Sequence, residues 1–208
     1  MTSAREALER LRAGNREFAA GVRAPDVDLS HARRAELARE HQPFAIILGC
    51  SDARGPAELV FNQGLGDLFV IRVAGNVVAP SQVGSVEFAA ALFGIRLVVV
   101  LGHSRCGAIH ATLEELRRPT ETQSRNLRSI VDRVRPSVET LLRTELRHDL
   151  DALVHHAVRA NVRASVDHLR HGSELLEQLI RDEGLEVVGA EYSLETGVVE
   201  FFDGPSGR

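Results

Sequence analysis

The chain has 208 residues, a net charge of −4, 44% hydrophobic and 26% charged residues, which suits one substantial globular core. Acids and bases are interspersed, so the basic face of a nucleic-acid binder is absent, and no apolar run approaches a membrane span. All 25 Lys+Arg residues are arginine, which excludes Schiff-base chemistry and a phosphate-loop lysine.

The opening segment mixes charges with apolar residues from Met1 to Glu9, so no secretory h-region is expected. Leu8, Leu11 and Phe18 fall at helical spacing, which predicts a helix over Ser3 to Phe18. Arg23 to Ser30 reads as a loop, and His31 to Glu40 as a short helix broken before Pro43. Phe44 to Gly49 is a continuous apolar run ending in glycine, the pattern of a buried parallel strand. Leu68 to Ile71 and Leu97 to Leu101 repeat it. Between them Val83, Val86, Ala90 and Phe93 share one helical face. Past Gly107 the chain turns helical and arginine-rich, with Leu150, Leu153, Val154, Ala157 and Val158 on one stripe. Gly172 followed by Ser173 marks a helix stop and a new cap, and Gly184 closes the next helix. Strands near Glu186–Glu191 and Val198–Phe202 flank the turn at Gly197. The expected fold is α/β: a central, mostly parallel sheet of four to five strands flanked by helices, with an N-terminal helical arm. We read one domain over residues 1–208, with the arm at 1–40, a core at 44–107 and a helical and terminal-strand region at 108–208.

In open α/β sheets, ligands bind beyond the carboxyl ends of the strands. Two polar motifs fall there. Gly49-Cys50-Ser51-Asp52-Ala53-Arg54 follows the first strand, and Gly102-His103-Ser104-Arg105-Cys106-Gly107 follows the third. If those strands are neighbours, their tips bring Cys50, His103 and Cys106 together. Two thiolates and one imidazole leave a fourth zinc position open, as in a catalytic site. A lone Cys at a strand end is most often a small buried hydrophobe, and a lone His a hydrogen-bonded core residue. A nucleophilic Cys50 is a rival, but Arg54 follows too closely for a phosphatase loop, and polar residues interrupt the backbone nest that would cradle phosphate. With only two cysteines in the chain, use as ligands or nucleophiles is favoured over a disulfide in an intracellular setting. The expected location is cytoplasmic.

Cys-x-Asp-x-Arg after one strand and His-x-x-Cys-Gly after another resemble the two signature motifs of the β-class carbonic anhydrases. Ala57-Glu58, Gly64 to Arg72, Gly75-Asn76 and Ser85 to Glu87 extend the resemblance. It implies a Zn2+ enzyme, a carbonate dehydratase, in which zinc-bound hydroxide reversibly hydrates CO2 to bicarbonate and a proton. Two thiolates make the metal a weaker Lewis acid than three imidazoles would, so activity is expected to rise toward alkaline pH. The resemblance implies that Asp52 orients the nucleophile while Arg54 holds Asp52 off the metal, and that Asp52 becomes a fourth ligand only in a closed state. It further implies that Gly107, Phe69, Ala74 and Phe88 border the substrate pocket. His41, unless a gap brings Gln42 there, stands where relatives often place a substrate-contacting Gln. Members inhibited by bicarbonate use a Trp, an Arg and a Tyr. Arg72 and Tyr192 match, but Ile47 replaces the Trp, so weak or absent bicarbonate inhibition is expected. Partners are CO2, bicarbonate and further copies of the chain, as a homodimer or a multiple of dimers, with the amphipathic N-terminal helix packing on a partner subunit. The alternatives are a related zinc hydrolase of COS or CS2, with identical ligands, and a non-catalytic zinc or thiol-switch protein.

Overall fold

The computed structural model describes residues 2–22, 30–119 and 124–204. Except for Ser30, the expected loop at Arg23–Ser30 lies outside them. Five strands form one sheet in the order β2-β1-β3-β4-β5. They are β1 (Ala45–Gly49), β2 (Leu68–Arg72), β3 (Leu97–His103), β4 (Glu186–Tyr192) and β5 (Val199–Asp203). The first four in that order run parallel, and β5 is antiparallel to β4. Every residue of β1 and of β3 is buried. Both are covered on two faces, which is why they read as unbroken apolar runs rather than alternating ones.

On one face α1 (Ala4–Ala19) packs with Leu8 and Leu11 against Phe44, Ile47 and Phe61. A capping box fixes its start: the Ser3 hydroxyl accepts from the Glu6 N–H, and the Glu6 carboxylate accepts from the Ser3 N–H at 2.9 Å. The apolar face of α1 is therefore buried in its own chain. The next helix, α2 (His31–Leu37), is capped by Ser30 and buries no residue. A single turn, α3 (Ala57–Val60), follows β1.

The other face of the sheet carries α4 (Pro80–Leu92), α7 (Leu150–His171) and α8 (Glu174–Asp182), with Val86, Val162, Val166, Leu169 and Leu176 packed against Ile46, Val98 and Val100. Two further helices, α5 (Gly107–Arg117) and α6 (Arg125–Val138), pack on the start of α7 in a third cluster. The Gly172–Ser173 stop and cap separate α7 from α8 as expected, with the Ser173 hydroxyl accepting from the Leu176 N–H. Gly184, at φ +72°, follows the end of α8 in the left-handed region that glycine favours.

Candidate metal centre

β1 lies between β2 and β3, so the two motif-bearing strand tips are adjacent, with Gly49 level with Leu101. This is the point where the winding of the sheet reverses, the usual ligand position in open α/β folds. Cys50 leaves the tip of β1, His103 ends β3, and Cys106 caps the N-terminus of α5. Their ligand atoms all lie within 4.8 Å of one another, the one such group of three metal-binding side chains among the described residues. No disulfide joins the cysteines; their sulfurs stand 3.9 Å apart.

The turn that brings His103 and Cys106 together requires Arg105 at φ +53°, a left-handed conformation costly for a residue with a Cβ. Arg105 is steadied by an ion pair with Glu195 at 2.7 Å, and the Ser104 hydroxyl donates to the same carboxylate at 2.8 Å. His103 is 4% exposed. Its Nδ1 lies 2.9 Å from the Ser104 carbonyl. A carbonyl can only accept, so Nδ1 carries the proton and Nε2 presents a lone pair. That Nε2 is buried and has no hydrogen-bond partner, an arrangement costly in a core unless a ligand completes it.

The thiols are equally suited to a cation. Cys50 accepts from the Gly75 N–H at 3.3 Å, and Cys106 sits at the N-terminus of an α-helix, where backbone N–H groups favour a thiolate. The contact between the two sulfurs lets one ionise at the expense of the other. Cys50 is pushed down, chiefly by the Cys106 contact, while the same contact and burial push Cys106 up. A divalent cation between them would stabilise both as thiolates. Two sulfurs and one free imidazole nitrogen fit zinc with one position open.

Asp52 lies beside this group and outside it. Arg54 grips its carboxylate with both arms of the guanidinium, at 2.8 and 2.7 Å, and the Arg54 N–H adds a third bond at 3.0 Å. Asp52 Oδ2 stands 3.9 Å from His103 Nε2. The Arg54 bonds hold the Asp52 carboxyl well below the usual carboxylate range, so it is ionised at neutral pH.

Several residues that position the centre were not singled out for that role in the sequence. Arg72 donates to the Cys50 carbonyl at 2.9 Å and to the Asp52 carbonyl, pinning the loop between them. Gly75, at φ +68°, turns its N–H toward Cys50, and Asn161 of α7 holds that turn by donating to the Gly75 carbonyl at 2.8 Å. Asn161 is a polar residue interrupting the buried stripe of α7, and that interruption was the available signal. Val73, Val77 and Ala108 pack around the two cysteines.

Of the other expected pocket residues, Ala74 opens the short turn that contains Gly75. Gly107 is the first residue of α5 and lines a separate cleft with Ser104 and His110. Phe69 and Phe88 form an aromatic cluster with Phe93, ring centres 6.1–6.3 Å apart, and His41 lies 5.1 Å from Phe93. None of these residues lines the small cavity behind Cys50, which is bordered by Ile47, Val70, Arg72, Leu101 and Tyr192.

Comparison with known proteins agrees with this geometry. Residues 45–199 match the carbonic anhydrase family model. Carbonic anhydrase 2 of Mycobacterium tuberculosis is 38% identical over 92% of this chain and 89% of its own length. The β-carbonic anhydrase CafA of Aspergillus fumigatus superposes with a TM-score of 0.74 at 26% identity, covering 91% of this chain and 87% of that one. One of the two tetrameric β-carbonic anhydrases of Sordaria macrospora superposes with a TM-score of 0.72 at 25% identity, covering 81% and 84%. Fold and site define a zinc-dependent lyase. The chain belongs to the β-class carbonic anhydrase family, and its chemistry is the reversible hydration of CO2. Neither the hydrolase of COS or CS2 nor the thiol-switch reading is favoured.

Proposed function

We propose that Cys50, His103 and Cys106 hold the zinc, and that Asp52 and Arg54 prepare the nucleophile for CO2. When bound, zinc supplies a water acidified enough to attack CO2 near neutral pH. The rest falls to the chain. Asp52, ionised and fixed by Arg54, accepts a hydrogen bond from the attacking water and turns its lone pair toward the carbon. Arg54 also keeps the carboxylate off the metal; if that grip is released, Asp52 becomes a fourth ligand in a closed state. The observation that carries this reading is the two-armed Arg54–Asp52 contact beside the unpartnered His103 Nε2. In Asp52→Asn, CO2 hydration by stopped flow should fall about 10–100-fold while one zinc per chain remains. Wild-type turnover at full zinc content would refute the role.

The same proposal covers the surroundings. Gly107 and Ala74 border the CO2 pocket, while Phe69, Phe88 and His41 reach the pocket of a second copy in a homodimer or a multiple of dimers. Support comes from exposed Phe88 and Leu92 beside the aromatic cluster and from the tetrameric relatives. A cytoplasmic location is supported by two free thiols placed to bind metal, a state that reducing compartments preserve. Residues 1–208 form one domain in this reading, because all three apolar clusters converge on one sheet or its flanking helices.

A further inference from the structure

A cleft of about 650 Å3 opens where the first turns of α5 and α7 meet the end of β4. His110, Asp151, His155, Glu191 and Glu195 line it. Glu191 is the anomaly among them. Its side chain is 7% exposed, and burying a carboxylate is costly unless charge and hydrogen bonds compensate. Here compensation is incomplete. Arg159 directs two short bonds, 2.8 and 3.0 Å, to Glu200 and approaches Glu191 Oε2 only to 3.4 Å. Glu191 Oε1 accepts no hydrogen bond at all. With both acids ionised, Arg159, Glu191 and Glu200 together carry one net negative charge, and burial pushes the Glu191 carboxyl up, against the pull of His155 and Arg159. The side of Glu191 that lacks a partner faces His155, whose Nδ1 lies 3.5 Å from Oε1 and whose ring is half exposed to the cleft.

We propose that His155 Nδ1 and Glu191 Oε1 form a two-point clamp for a divalent transition-metal cation of the zinc type, separate from the Cys50–His103–Cys106 centre. Zinc bonds of about 2.0–2.2 Å to nitrogen and oxygen at tetrahedral angles place two ligand atoms roughly 3.4 Å apart, and the observed pair stands 3.5 Å apart. An imidazole with a carboxylate suits zinc better than magnesium or calcium, which prefer oxygen alone. The cleft is open, so the remaining positions of such a cation would face solvent. Asp151, one turn before His155 on the same helix and the same wall, adds negative charge without ligating. The cation would give Glu191 Oε1 a partner, where Arg159 reaches only Oε2, at 3.4 Å.

The test uses the enzyme already carrying its catalytic zinc, dialysed to equilibrium against increasing zinc chloride at neutral pH, with metal counted per chain. Wild type should take up one further equivalent, weakened at least tenfold in Glu191→Gln and in His155→Gln. Zinc-edge anomalous scattering from soaked crystals should place that ion between the two side chains. His155 is half exposed, so His155→Gln keeps the test valid even if Glu191→Gln disturbs folding. Absence of a further equivalent in wild type would mean that Glu191 is satisfied by a proton, and would overturn the proposal. So would an equivalent that both variants retain with unchanged affinity, or one located elsewhere on the surface.

Discussion

Ile47, Arg72 and Tyr192 share a cavity of about 10 Å3 behind Cys50, room for no more than a single water. Ile47 offers no hydrogen-bond donor. The Arg72 guanidinium is already engaged by the carbonyls of Cys50 and Asp52. A bicarbonate ion entering here would have to displace those bonds and open the packing around Ile47, losing the loop geometry that sets Asp52. Weak or absent inhibition by bicarbonate follows. Stopped-flow rates across pH at several bicarbonate concentrations should superpose once product inhibition is subtracted. A cooperative shift of the alkaline rise with bicarbonate would show that Ile47 does not close the site.

At the scale of elements, the centre depends on how closely α7 lies on β3. A Cβ built on Gly102 would stand 2.6 Å from Val162 Cγ2 and 3.1 Å from Val158 Cγ1, both on stiff β-branched side chains. Gly102→Ala should therefore destabilise the fold by about 1–3 kcal/mol, measured by urea unfolding, because α7 must lift from the strand that ends in His103. Unchanged stability would show that the helix yields freely. The strands themselves were legible, since β1 from Ala45 to Leu48 and β3 from Leu97 to Leu101 are buried apolar runs that lead into the two motifs. The supports were not. Asn161 interrupts the buried stripe of α7, but its partner Gly75 lies 86 positions away, and nothing local in the sequence points to that bond. The left-handed Arg105 was equally hidden, because nothing in its residue type announces that conformation.

At the scale of the molecule, the sheet order makes the site and the aromatic surface suggests the assembly. The two motifs meet only if β1 and β3 are neighbours, a pairing that no local pattern fixes and that the sheet topology supplies. The pocket residues Phe69 and Phe88 carried a family expectation that a single chain does not bring to the cavity behind Cys50. Phe88 is 53% exposed and Leu92 63%, a cost to solvation that a second copy would remove. Phe88→Asp should shift the solution mass by light scattering toward the single chain and lower CO2 hydration with it. Retention of the wild-type mass would place the interface elsewhere.

Whether Cys50, His103 and Cys106 hold the zinc on which CO2 hydration depends can be decided by one paired measurement on Cys106→Ser. Zinc content and stopped-flow CO2 hydration are determined on the same sample, beside wild type, with circular dichroism to check that the fold survives. Wild type should hold one zinc per chain and hydrate CO2 rapidly, and the folded variant should lose both. A folded Cys106→Ser that keeps a full equivalent of zinc and wild-type hydration would contradict it.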